Sequence, residues 1–236
     1  MQFALCGNVQ KVLVFGAHGD DEIIGCGGTI ARLAGLGVEV TVVTFTRRET
    51  SYARPEDKDK AAKSADQEMR AANDILGVSL REVLGIPNQA VTNDRETFQQ
   101  CVKLIRKHQP EIIFTHSPHD HHRDHRAVSL LVDEARWKAW ENLSPDWGAP
   151  WETKLVLHYE IFDLIAKPHL IVTYPKECLT KKLQAMASQE SQLEVLRGIV
   201  QQLEGLAMVR GGLAGGEGCF GEAFAISDFH PTYLRL

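Results

Sequence analysis

Apolar positions follow two rhythms along the first half of the chain. Val12, Leu13, Val14 and Phe15 form an unbroken apolar run, and Lys11–Phe15 is predicted to be a buried strand. From Ile23 to Leu36 the spacing becomes helical. Ile23, Ile30, Leu33 and Ala34 share a face, and Gly35 and Gly37 punctuate the end. Val38–Phe45 is apolar and β-branched, hence a second strand. Arg47–Lys60 is polar and without period, and is expected to be a mobile loop. Ala61–Leu76 reads as a helix stopped by Gly77, which suits a C-terminal cap. A short strand at Glu82–Leu84, a helix at Glu96–His108 ended by Pro110, and a strand at Ile112–Thr115 follow.

Beyond residue 120 the pattern is less regular. Arg126–Trp137 is predicted to be helical, Trp140–Trp151 a Trp- and Pro-rich loop, and Leu155–Phe162 a strand. Leu179–Leu206 is amphipathic and predicted to be one long helix, and the six glycines of Gly211–Gly221 predict a flexible loop. Strand and helix alternate from residue 11 to 135, which right-handed crossovers convert into a parallel sheet covered on both faces. The fold class is therefore α/β, a Rossmann-like three-layer sandwich with a mostly parallel sheet. With 236 residues, 44% of them hydrophobic, one large core is enough, and residues 1–236 are read as a single domain without internal repeats.

Composition narrows the partners. The net charge is −5 and no basic stripe is present, so nucleic acid is excluded as a partner. Five widely spaced cysteines without a C-x-x-C pair argue against a disulfide framework and for a reducing cytoplasm. Met1–Leu5 has no charged leader character and no run is long enough to span a bilayer, so neither a signal peptide nor membrane insertion is expected.

The chemistry lies at two strand ends. His18-Gly19-Asp20-Asp21-Glu22 follows the first strand, and His122-Arg123-Asp124-His125 follows the run Ile112–Phe114. In open α/β sheets the carboxyl edge is where ligands bind. Zinc takes imidazole nitrogen and carboxylate oxygen, and a catalytic site keeps one position for water, whose pKa falls to about 7. His18 and Asp21, three apart on one turn, can aim at one point, and His125 can supply a third ligand. Asp20 is then free to take a proton from the water. His122 can stabilise the developing oxyanion, Asp124 can orient a histidine, and either Asp20 or His122 can protonate the leaving nitrogen. Hydrolysis of an amide uses every member of this set.

An acidic helix N-terminus explains Asp20-Asp21-Glu22 alone but not with both histidine clusters. Gly25, Gly27 and Gly28 follow an acidic cluster and miss the dinucleotide-loop spacing. His116, His119 and His121 are read as solvated loop residues, and Trp137, Trp140, Trp147 and Trp151 as core or subunit contacts.

The two clusters resemble the A-H-P-D-D-E and H-x-D-H motifs of the LmbE-like, or PIG-L, zinc N-deacetylases. The resemblance extends to Glu68 with Leu76-Gly77, Pro110-Glu111-Ile112, Arg126-Ala127-Val128, Ser188-Gln189 and Glu222-Ala223-Phe224, and so covers nearly the whole chain. It implies one zinc per chain on His18, Asp21 and His125, with Asp20 as general base and His122 as electrostatic partner. It implies removal of an acetyl group from an N-acetylglucosamine-type amino sugar or its conjugate, a small-molecule substrate. A homo-oligomer is expected. Gly19 replaces the family's proline and is expected to loosen the turn. Ala65 and Asn88 stand where an arginine and an aspartate commonly meet the sugar. Substrate contacts are therefore expected from Asn88 and from Arg47 or Arg48, and a zinc amidohydrolase acting on a non-sugar acylated amine is the alternative. A non-catalytic scaffold fits poorly, because Asp20 and all three ligands are retained.

Overall fold

The computed structural model describes residues 9–215 and 218–229. The chain start, Cys6 and part of the glycine-rich stretch lie outside these residues. Among the described residues seven strands form one sheet: β1 (Lys11–Gly16), β2 (Glu39–Thr46), β3 (Leu80–Ile86), β4 (Ile112–His116), β5 (Leu155–Tyr159), β6 (Leu170–Tyr174) and β7 (Phe220–Ile226). Their order is β3-β2-β1-β4-β5-β7-β6. The first five are parallel, and β7 runs antiparallel to both β5 and β6. The helices are α1 (Asp21–Gly35), α2 (Ala61–Leu76), α3 (Arg95–His108), α4 (Arg123–Trp140), α5 (Lys176–Ala187), α6 (Glu190–Leu193) and α7 (Ile199–Leu213).

Strand alternation builds a core on each face. Val12 and Val14 of β1 point into one cluster with Ile23, Ile30, Leu76 and Leu203, while Leu13 and Phe15 point into another with Cys101, Ile105, Val128 and Leu131. The chain progresses outward from β1 through β2 to β3, then returns to place β4 on the other side of β1. That reversal leaves a crevice at the carboxyl ends of β1 and β4. The turn entering α1 and the loop entering α4 both open into it.

Local signals account for most element ends. Gly77 takes φ +80° as the C-terminal cap of α2, and its N–H donates to the Asn73 carbonyl at 2.9 Å. Asp94 caps α3 by accepting from the Thr97 N–H at 2.9 Å. Helix α1 is broken at Cys26, whose φ is −148°. A buried ion pair splints the break. Lys182 Nζ donates to the Ile24 carbonyl at 2.8 Å and to Glu222 Oε1 at 2.6 Å, and Glu222 accepts the N–H groups of Gly28 and Thr29 at 2.9 and 2.8 Å. The groups orphaned by the kink are thus satisfied by side chains from α5 and β7.

The loop Arg47–Lys60 contains a short 3₁₀ helix at Pro55–Lys60, and Trp140–Trp151 contains another at Pro145–Trp147. The strand expected at Glu82–Leu84 extends over Leu80–Ile86, and that at Leu155–Phe162 stops at Tyr159. The segment Leu179–Leu206 is three helices, separated at Ser188-Gln189 and at Gly198, which takes φ +77°. Strands β6 and β7 were not anticipated. Helix α7 continues through Gly211 and Gly212 and β7 begins at Phe220, so the glycine-rich stretch is partly regular structure. A Cβ on Gly211 would stand 2.0 Å from the Cys219 carbonyl oxygen, so this glycine serves close packing of α7 on β7.

Candidate active site

A cleft of about 180 Å³ lies at the crevice and is lined by His18, Asp20, Asp21, Arg48, Asn88, His122 and His125, among others. Both sequence clusters therefore meet. In the turn before α1 the His18 N–H donates to Asp21 Oδ2 at 2.7 Å, which folds the two side chains toward each other. Gly19 makes room for Met69: a Cβ there would stand 2.4 Å from the Met69 sulfur. The space a side chain would take is thus occupied by Met69.

Donor atoms of three residues converge. His18 Nδ1 and His125 Nε2 are 3.2 Å apart, Asp21 Oδ2 is 3.4 Å from His18 Nδ1, and Asp21 Oδ1 is 3.4 Å from His125 Nε2. Ligands of a tetrahedral ion with bonds of about 2.0–2.1 Å stand about 3.3 Å from one another, and the spacing of these imidazole nitrogens and of the Asp21 carboxylate suits such an ion. The charges fit as well. Burial works against a charged His18, yet Asp21, Asp124 and Asp20 outweigh it and raise its pKa to about 10. Burial likewise opposes a charged His125, but Asp21 and Asp120 lift it to about 9. Asp21 is held well below the usual carboxylate range, because His125, His116 and His18 overcome the effect of its burial. The carboxylates demand positive charge here, and a divalent cation meets that demand with neutral imidazoles.

The surrounding residues fix the ring orientations. His18 Nε2 is 3.3 Å from Asp124 Oδ2, whose carboxylate also accepts the N–H groups of Gln89 and Val91. His125 Nδ1 is 3.2 Å from Asp120 Oδ1. His122 Nδ1 accepts the Asp124 N–H at 3.2 Å, which leaves Nε2 as the donor nitrogen of the neutral ring. Burial and the neighbouring His125 and His18 lower the His122 pKa, so that neutral form prevails at pH 7.

The two arginines separate. Arg48 takes φ +53° and is 2% exposed, with its guanidinium 3.2 Å from Asp20 Oδ2 and 2.8 Å from Glu68 Oε2. Arg47 is exposed, does not line the cleft, and lays its guanidinium over Gly85. Asn88 lines the cleft with its amide nitrogen 2.5 Å from Thr50 Oγ1. Ala65 is buried in α2, 1% exposed.

Two residues escaped sequence reasoning. His116 is not a solvated loop residue: it ends β4, is fully buried, stacks on His125 at 4.0 Å, and places Nε2 3.0 Å from Asp21 Oδ2. Burial and His125 push its pKa down to about 4, so it is neutral. Its position at the carboxyl end of a buried strand was the available signal. Asp120, lying between histidines, was the other. Burial opposes its ionisation, but hydrogen bonds from His125 and the His122 N–H hold its pKa at about 2. His119 and His121 are exposed, as expected of loop residues. Ring nitrogens of His18, His122 and His125 lie within 4.8 Å of one another, as do donor atoms of Asp21, His116 and His125, so the His18–Asp21–His125 set sits inside a wider donor cluster.

The model of the PIG-L family, GlcNAc-PI de-N-acetylase, matches residues 13–136, more than half of the chain. The chain belongs to the PIG-L family. Among curated PIG-L-like relatives, a 1D-myo-inositol 2-acetamido-2-deoxy-alpha-D-glucopyranoside deacetylase from Segniliparus rotundus is 33% identical over 177 residues, 61% of this chain and 56% of that protein. The chain thus spans little more than half the length of that relative. Among solved structures, N,N'-diacetylchitobiose deacetylase from Pyrococcus horikoshii superposes with a TM-score of 0.83 at 26% identity, over 94% of this chain and 85% of that one. A 4-carboxy-2-hydroxymuconate hydratase from Pseudomonas putida KT2440 shares the fold, with a TM-score of 0.81 at 22% identity over 96% of this chain and 99% of its own. The fold by itself therefore does not name a reaction.

Proposed function

We propose that the protein is a metal-dependent N-deacetylase acting on an N-acetylated amino sugar or its conjugate. The observation that carries this reading is the convergence of His18 Nδ1 and His125 Nε2, 3.2 Å apart, on an Asp21 carboxylate that sets one oxygen 3.4 Å from each of them, beside a separate Asp20 carboxylate. The deacetylases among its relatives support the choice of bond. One zinc per chain is proposed on His18, Asp21 and His125. When bound it supplies Lewis-acid polarisation of an amide carbonyl and a lowered pKa for water.

The protein's own residues do the rest. Asp20 takes the proton of the attacking water, and Arg48 at 3.2 Å holds that carboxylate in place. His122 donates its Nε2 hydrogen to the carbonyl oxygen as negative charge develops there. Asp124 and Asp120 keep the rings of His18 and His125 oriented. The C–N bond breaks, the amine leaves with a proton returned by Asp20, and acetate is released. Asn88 and Arg48, which line the cleft, are the proposed substrate contacts, and exposed Arg47 is not.

Among the described residues no helix is long and apolar enough to cross a membrane. The described cysteines are free, which supports the proposed cytoplasmic setting. Exposed apolar side chains at Leu130, Trp137 and Leu143 support a homo-oligomer.

The test is acetate release by the zinc-reconstituted protein from a panel of N-acetylglucosamine glycosides and simple N-acetyl amines. Turnover of the sugars with an equivalent of free amine is expected. Turnover confined to the non-sugar amides favours the amidohydrolase alternative, to which the missing guanidinium at Ala65 points. No acetate from any of them contradicts both.

A further inference from the structure

We infer that the site takes an amino sugar whose glycosidic substituent is apolar, and that this substituent lies in a groove beside Phe162. The inference rests on the amino-sugar reading above. The groove has a volume of about 660 Å³ and shares Ile24, Ile161, Phe162, Val195 and Leu196 with the cleft. None of the polar cleft residues Arg48, Ser51 and Asn88 is shared, so the cleft opens into the groove only through its apolar end.

Leu164, Ile199, Leu203 and Leu206 continue the lining. Of its charged members, Glu160 is neutralised by Arg210 through contacts of 3.0 and 2.6 Å, which leaves Arg197 alone at the rim. Phe162, Leu164 and Val195 are 44, 56 and 48% exposed, so the groove is open to an occupant. A surface of this kind is a ligand site more often than bare surface.

Sugar geometry chooses which part of the substrate enters. The acetamido group sits on C2, flanked by C1 on one side and C3 on the other. With the amide at the His18–Asp21–His125 triangle and the hydroxyl edge from C3 toward Arg48 and Asn88, the C1 substituent is directed to the opposite, apolar end. A second sugar or an inositol there would meet mostly aliphatic and aromatic side chains, with Gln202 and Arg197 the polar groups of the lining besides the paired Glu160.

The experiment compares methyl and hexyl glycosides of N-acetylglucosamine with the zinc-reconstituted full chain, measuring kcat/KM and, by calorimetry, binding. Each buried methylene is worth about fourfold, so the hexyl glycoside is expected to exceed the methyl one by at least about tenfold. Leu164→Glu places a charge in the groove at an exposed position and should collapse that ratio toward one. Leu206→Glu is a second variant for the same reading if the first fails to fold. A wild-type ratio within twofold overturns the inference while methyl turnover leaves the deacetylase reading standing. Tighter binding of the hexyl compound without turnover of either supports the groove and sinks the deacetylase reading. A wild-type oligomer that dissociates in Leu164→Glu, with the ratio unchanged, assigns the groove to a second copy of the chain and overturns the inference.

Discussion

His125 and Asp20 divide the work of the cleft at the scale of single residues, and substitution should separate them. His125→Ala removes one member of the donor set and should lose zinc, measured by metal analysis after gel filtration. Stoichiometric zinc in that variant, at unchanged affinity, would remove His125 from the site. Asp20→Asn keeps shape but cannot accept a proton. Zinc should stay while kcat falls by about 10²–10⁴, and a near-normal rate assigns the base elsewhere. Arg48 and Arg47 test the fold of the strand end. Arg48→Ala leaves Asp20 and Glu68 buried without their cation and should cost about 3–5 kcal/mol in denaturant unfolding. Arg47→Ala, at the surface, should stay within about 0.5 kcal/mol. Equal losses would contradict the ion-pair geometry. Sequence patterning could not choose between these neighbours, because the left-handed backbone of Arg48 breaks the strand alternation that decides which side chain turns inward. His116 and Asp120 were missed for a related reason: five histidines within ten residues look alike until the loop geometry sorts them.

The elements were most legible where one rhythm persisted. Strands β1, β2 and β4 and helices α1 to α4 follow from apolar spacing, and Gly77 was readable as a cap. The last third was not, because α7 is apolar on more than one face and its neighbours are interrupted by turns at Ser188-Gln189 and Gly198. Strand β7 carries Gly221 and Glu222, which dilute its alternation, yet Glu222 has a task that no local pattern reveals. It joins Lys182 to splint the kink in α1, the helix that begins with Asp21. Glu222→Gln should therefore cost about 3–5 kcal/mol of stability, since Lys182 is left buried and unpaired. Zinc affinity should fall with it, as the turn loses its anchor. A denaturation midpoint unchanged from wild type would show that the kink holds without the pair.

The whole molecule explains why two distant motifs form one site. They follow the two strands that flank the reversal in sheet order, and the reversal opens the crevice between them. The α/β class and the mostly parallel sheet were readable because strand and helix alternate over the first half. The antiparallel end was not, because it depends on β7 inserting between β5 and β6, a long-range pairing without a local signature. One ion on His18, Asp21 and His125 is proposed to be required for acetate release. That requirement is tested most directly by stripping the protein with a chelator and titrating zinc back while following acetate. Activity should be absent at the start, rise linearly to one equivalent per chain and then level off. Acetate release by the stripped protein, or a rise that ignores one-to-one stoichiometry, would contradict it.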